Sequence, residues 1–192
     1  MASRQFALLA LAIAVATGTA AGQPPAEAPR VGGVPLTALY ANSWALVIGI
    51  NTYQKTARLN YAVPDARAVA AHLPGLGFPR ENIRLLLDGA ATRAEIERVL
   101  YRDFPRMGPD DRLLVYFAGH GGTLAVKGRD EGFILPVDAE PDALSATAIS
   151  MDDLRRIGRR LQAKHVLFIM DACFSGFALS RDVVVRARSD EP

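Results

Sequence analysis

The sequence holds a single cysteine, Cys173, among its 192 residues. One thiol cannot close an internal disulfide, so the leftover sulfur is either buried or reactive. Histidine is scarce as well. His72, His120 and His165 lie on three separate elements, and with one cysteine they make a poor zinc set. No metal site is expected from them, and neither His72 nor His165 is assigned a role. An excess of one charge is also missing: 22 Lys and Arg face 20 Asp and Glu, for a net charge of +2. The arginines are scattered among acidic residues, whereas nucleic acid or an anionic membrane needs clustered cations, so no nucleic-acid partner is expected. Phosphate-cradling glycine patterns are absent. Ser175 is flanked by Cys173 and Phe177 two residues away on either side, which excludes the G-x-S-x-G nucleophile elbow.

No apolar run reaches the roughly 20 residues that cross a bilayer. The run Phe6–Ala16 has 11. It follows Arg4 and precedes the small residues Thr17 to Ala21, the layout of a secretory signal peptide. Residues 1–21 are therefore expected to be removed on export, placing the mature protein in the periplasm or outside the cell, free of the membrane. Residues 22–38, rich in proline, read as a flexible linker. Residues 39–192 form one domain of ordinary size, apolar enough to bury a core. In an oxidising compartment an exposed idle thiol is a liability, which favours a reactive role for Cys173.

What is present is a set of buried strands alternating with helices. Trp44–Ile50, Ile83–Leu87, Arg112–Ala118 and Val166–Met170 are apolar runs of strand length. A helix is expected from Pro64 to Leu73, a second from the Thr92–Glu95 capping box to the residue before Pro105, and a third from Ser150 to about Leu161. Leu124–Val126 and Phe133–Leu135 suggest a small hairpin. This alternation predicts an α/β layer fold with helices on both faces of a mainly parallel sheet in the order 2-1-3-4.

Ligands bind beyond the carboxyl ends of such strands. Asp65 follows the first strand, His120 the third, and Asp171 and Cys173 the fourth, so all four can converge on one sheet edge. A thiol with pKa near about 8.5 needs a base beside it, which His120 can be. Glycine lets backbone N–H groups approach an oxyanion closely, which suggests Gly121 together with the Cys173 amide. The plainer alternatives are a buried inert cysteine and a loop histidine bonded to backbone.

The paired segments Tyr116-Phe117-Ala118-Gly119-His120-Gly121 and Asp171-Ala172-Cys173-Phe174-Ser175-Gly176, each ending an apolar strand, resemble the caspase-like cysteine peptidases, bacterial metacaspase type, in their large-subunit region. Trp44–Ile50 and Leu59–Ala66 resemble that group's first strand and helix start. The resemblance implies the three-layer caspase-like fold and a Cys173–His120 dyad with Gly121 and Cys173 as oxyanion donors. It also implies that Asp65 and Asp171 line an S1 pocket for Arg or Lys. Two carboxylates suit a guanidinium and repel an acidic side chain. Ala118, Ala172 and Phe174 depart from the more polar residues common there. No cofactor is required by this reading. Calcium activation stays open, since many such enzymes use loop carboxylates. Asp130, Glu131, Asp138, Glu140 and Asp142 show no calcium-loop spacing, and a solvated acidic surface is the favoured reading.

Relatives of this kind continue past the cysteine into a small-subunit portion, which is expected to be missing here. That would leave the strand at 166–170 at a sheet edge, to be covered by the tail around Val183–Val185 or by a homodimer or other second chain. The leading expectation is an endopeptidase. Its rivals are an inactive caspase-like binding module and a cysteine acyl hydrolase acting on small thioesters or amides.

Overall fold

The computed structural model describes residues 30–31, 33–126, 129–172 and 183–187. The expected signal segment and Cys173 lie outside the described residues. The stretch read as a linker carries a short antiparallel pair, β1 (Arg30–Val31) with β2 (Val34–Pro35), and a turn of helix, α1 (Leu36–Leu39). The first long strand is β3 (Ser43–Gly49), followed by α2 (Ala62–His72), β4 (Ile83–Leu87) and α3 (Arg93–Arg98). Then come β5 (Arg112–Ala118), β6 (Gly121–Val126), β7 (Arg129–Ile134), the turn α4 (Leu144–Thr147) and β8 (Ile149–Ser150). Helix α5 (Met151–Arg160), β9 (His165–Asp171) and β10 (Val183–Ala187) complete the order.

The central sheet runs β10-β9-β5-β3-β4. Its four apolar strands are parallel and stand in the order expected from the sequence. Both faces are covered, which is why these strands read as unbroken apolar runs rather than alternating ones. On one face Ala45, Val47, Tyr116 and Ala118 pack with Ala62 and Ala66 of α2. On the other, Leu46, Ile48, Val115, Phe117 and Phe168 pack with Ile96 of α3 and with Leu154 and Ile157 of α5. A three-stranded sheet, β6-β7-β8, stands apart from the main one. The expected hairpin is present in it but longer, because pairing begins at Gly121 opposite Ile134.

The helix boundaries have local causes. α2 starts at Ala62, two residues before Pro64, because Asn51 Oδ1 accepts the Val63 N–H from a distant loop at 3.2 Å. That bond satisfies one of the amides a helix start leaves orphaned. Thr92 and Ser150 cap α3 and α5 as their sequences suggest, accepting from the Glu95 and Asp153 amides at 3.2 and 3.0 Å. α3 is shorter than expected. After Arg98 the chain widens into a π-type turn at Val99–Asp103 and tightens into a 3-10 turn at Phe104–Arg106. Pro105 supplies no N–H, so the regular helical hydrogen-bond ladder cannot continue through it.

The edge at residues 166–170, expected to be covered by the tail or by a second chain, is paired with the tail. β10 pairs antiparallel with β9 from Val183 opposite Ile169 to Ala187 opposite His165. This pairing is the cover by the chain's own tail, one of the expectations for that edge.

The carboxyl ends of the strands finish level. Gly49 lies opposite Leu87 on one side and Ala118 on the other, and Ala118 lies opposite Asp171. Gly49 is also where α2 rests on the sheet, since a Cβ there would stand 2.5 Å from Ala66 Cβ and 2.6 Å from the Ala62 carbonyl oxygen. Neither neighbour is the end of a flexible side chain. Gly49→Ala is expected to cost about 1–3 kcal/mol through forced separation of helix and strand. Gly75→Ala, with nothing within 4 Å, serves as control. Urea unfolding of both checks this, and equal midpoints would refute the close approach.

Candidate active site

β5 delivers His120 two residues past its last sheet residue. The ladder continues across this boundary: Ile50 N–H donates to the Ala118 carbonyl at 3.0 Å, and Gly119 N–H to the Asp171 carbonyl at 3.3 Å. The chain leading into His120 is thereby tied to the ends of both neighbouring strands.

His120 is held at its backbone and its ring by one loop, residues 51–61. Its N–H donates to the Tyr53 hydroxyl oxygen at 2.7 Å, and the two rings lie 4.8 Å apart between centroids at 49°. Nε2 lies 2.8 Å from the Ala57 carbonyl oxygen. A carbonyl only accepts, so Nε2 carries the proton and the neutral ring keeps its lone pair on Nδ1. The nitrogen that remains available on this ring is thus Nδ1. Tyr53 and Ala57 were not singled out in the sequence. Ala57 contributes only its backbone, which no side-chain pattern could betray, and Tyr53 sits in a stretch without periodicity.

Gly119 permits this arrangement. A Cβ there would fall 2.4 Å from the Tyr53 hydroxyl oxygen and 2.8 Å from the Phe117 ring. Tyr53 is 8% exposed. Burial pushes its phenol well above the ordinary value, the bond from the His120 N–H works against this, and the Asp88 carboxylate adds to the rise. The hydroxyl accordingly stays neutral.

Gly121 opens β6 opposite Ile134. One step outward, the Leu135 N–H donates to the His120 carbonyl at 3.0 Å. Hydrogen-bonded and non-hydrogen-bonded pairs alternate along an antiparallel ladder, so the Gly121 N–H points away from β7. Asp171 ends β9 and is exposed, and Ala172 after it packs against the core. Asp65 is exposed in the first turn of α2, between the two alanines that touch Gly49. Asp65 and Asp171 therefore share the sheet edge that carries His120, although no hydrogen bond or ion pair joins them among the described residues. Cys173, two residues beyond Asp171, is outside the described residues. Ala118 is buried and offers no polar group.

The carboxylates considered for calcium do not gather. No group of three or more His, Cys, Asp or Glu that could hold a metal occurs among the described residues. Asp138 is engaged with the Arg93 amide at 2.9 Å, at the start of α3. Of the other histidines, His72 Nδ1 donates to the Ala68 carbonyl and His165 Nδ1 bonds the Tyr40 hydroxyl. His72 is thus engaged within its own helix and His165 by a residue distant in sequence.

A parallel sheet in the order found here, with a histidine after the third strand and an acidic residue closing the fourth, defines an α/β protein built around one sheet edge. The caspase-domain family profile matches residues 42–191, and the chain belongs to that family. It is 34% identical over 154 residues to metacaspase-1A of Aspergillus oryzae, a match covering 70% of this chain and 35% of the relative. With metacaspase-1B of Neurospora crassa it shares 30% identity over 174 residues, covering 81% and 41%. The chain thus spans well under half the length of these metacaspases. A crystal structure of a Geobacter sulfurreducens protein superposes with a TM-score of 0.59 at 23% identity, over 71% of this chain and 52% of that one. That likeness concerns the fold, and the architecture is caspase-like.

The Tyr53 environment has a consequence for pH. Its phenol titrates near about 10 when unfolded and higher when folded. Above about pH 10 the folded state holds the extra proton, so stability falls with rising pH, by at most about 1.4 kcal/mol per unit from this group. Tyr53→Phe is expected to cost about 1 kcal/mol at neutral pH through the lost acceptor. The gap from the native protein should then close between roughly pH 9 and 11. Urea unfolding across that range measures it, and a constant gap would contradict burial of the phenol.

Proposed function

We propose that this protein is a cysteine endopeptidase that cleaves after Arg or Lys. The observation that carries the reading is His120 with Nε2 donating to the Ala57 carbonyl, which leaves Nδ1 free as base at the level of the strand preceding Cys173. Membership of the caspase-domain family supports a cysteine peptidase, and peptides or proteins as its substrates.

In this mechanism Nδ1 of His120 takes the Cys173 thiol proton as sulfur attacks the scissile carbonyl carbon. The carbonyl oxygen becomes an oxyanion, held by the Gly121 and Cys173 amides. One such donor is worth on the order of 10²–10³ in rate. His120 then returns the proton to the leaving amine, and water hydrolyses the thioester by the reverse proton path. Asp65 and Asp171 receive the basic side chain before the cleaved bond, since exposed carboxylates at the shared edge suit a guanidinium or ammonium. The setting proposed is the periplasm or the cell exterior, on the strength of the leader-like residues Met1 to Ala21.

Fluorogenic peptides with Arg, Lys or Asp before the cleaved bond, offered with and without calcium, test this. Turnover of Arg and Lys peptides that disappears in Cys173→Ala is expected. Equal turnover in the variant, or none under any condition, would falsify the peptidase reading and leave a binding module. Asp171→Asn should lower kcat/KM for Arg peptides about tenfold or more, as a charge-assisted contact is lost. An unchanged preference removes Asp171 from the pocket.

A further inference from the structure

The loop that holds His120 is itself fastened from the far edge strand. Asp88 directly follows β4, and its Oδ1 accepts both the Asn51 N–H and the Thr52 N–H, each at 2.8 Å. Two successive amides converging on one carboxylate oxygen form a small anion nest, with both bonds assisted by charge. Asp88 is also the only non-glycine with positive φ among the described residues, at 43°. A side chain is disfavoured in that conformation and glycine is at ease in it. An aspartate there calls for an explanation, and the two amides it binds supply one.

Past Thr52, the loop makes three further fixed points. Gln54 N–H donates to the Val137 carbonyl at 3.0 Å, Leu59 N–H to the Asn51 carbonyl at 2.8 Å, and Asn51 Nδ2 to the Asn60 carbonyl at 3.3 Å. The loop is therefore closed on itself at Asn51, and Asn51 is the residue that Asp88 grips. Between the fixed points stand Tyr53 and Ala57, the two groups that bond the backbone and ring of His120.

We propose that Asp88 is a positioning residue for His120: from the end of β4 it seats the Asn51–Thr52 backbone, and through that loop it sets the Tyr53 hydroxyl and the Ala57 carbonyl that fix the imidazole and its tautomer. The proposal rests on the reading of His120 as the base. It places a determinant of that base on a strand that carries none of the reacting groups, two strands away from β5.

The test uses the full chain with 15N-labelled histidine, His120 being assigned by the signal missing in His120→Gln. In the native protein His120 should populate the form with Nε2 protonated and Nδ1 bare. Asp88→Gly removes the carboxylate while keeping a backbone suited to positive φ, so the chain still folds. It should show a mixture of the two tautomers, with kcat down roughly tenfold or more and KM within about twofold, as expected when only the geometry of the base is disturbed. Asp88→Asn keeps an acceptor oxygen at the same place and should restore most of both signals. An unmixed tautomer in Asp88→Gly, or an Asp88→Asn variant no better than Asp88→Gly, overturns the proposal. The tautomer ratio is read without turnover, so a protein that cleaves nothing still decides the role of Asp88 while separately refuting the peptidase reading.

Discussion

Parallel pairing in a common register is the constraint on which the rest of this molecule depends. Leu87, Gly49, Ala118 and Asp171 stand side by side at the carboxyl ends of four adjacent strands. At about 4.8 Å between neighbours, everything that leaves these ends begins within a narrow band. Asp88, Ile50, Gly119 and Ala172 are the first residues out of the sheet, and the loop that follows Ile50 carries the groups that touch His120. A slip of one residue in any of these strands would turn its side chains to the opposite face. Such a slip is opposed by the burial of Leu46, Ile48, Val115 and Phe117 on one side and of Ala45, Val47 and Tyr116 on the other. The precision of the site is thus inherited from the core.

Close approach at that edge is obtained by omitting side chains. Gly49 lets the first turn of α2 sit on the sheet, which brings Asp65 down to the strand ends. Gly119 lets the Tyr53 hydroxyl reach the His120 amide. At the opposite, amino end of the sheet the solution is polar. The carboxylate of Asp111, only 2% exposed, accepts from Asn42, from the Trp44 indole and from the Gly108 amide. A buried charge with three donors is well compensated, and it fastens the start of β3 to the start of β5. The amino end of the sheet is thus locked by hydrogen bonds, whereas the carboxyl end is closed by glycine-permitted contacts.

Much of this was legible in the sequence, and the parts that were not share a physical reason. Four apolar runs without alternation gave away strands buried on both faces, and Thr92 and Ser150 announced their helices through capping. His120, Gly121, Asp65 and Asp171 were visible because they sit at fixed short distances from those strands. The π-type turn at Val99–Asp103 was hidden, since it reflects a compromise with Pro105 rather than any residue preference at 99–103. The loop at 51–61 was harder still. Its function lies in backbone groups of Asn51, Thr52 and Ala57, and backbone groups are the same at every position. Asp88 could have been noticed only by asking why an aspartate precedes Gly89 at the end of an edge strand, a question that its positive φ raises after the fact.

The choice of a backbone carbonyl to orient His120 carries its own chemical logic. A carboxylate at Nε2 would fix the ring equally well, but its full charge would also stabilise the imidazolium and raise the basicity of the imidazole, as in serine hydrolases. A serine hydroxyl is so weak an acid that it needs that help. A thiol near pKa 8.5 is far closer to ionising at neutral pH and is an intrinsically strong nucleophile. For the chemistry proposed here, a neutral acceptor is enough to hold Nδ1 in place, and it spares the edge another permanent negative charge beside Asp65 and Asp171. In the proposed mechanism those two carboxylates take a cation from the substrate, and an acidic partner on His120 would compete with them for it. Under that proposal the Ala57 carbonyl orients the base without adding charge, and the attraction of a basic side chain is left to Asp65 and Asp171 at the same sheet edge.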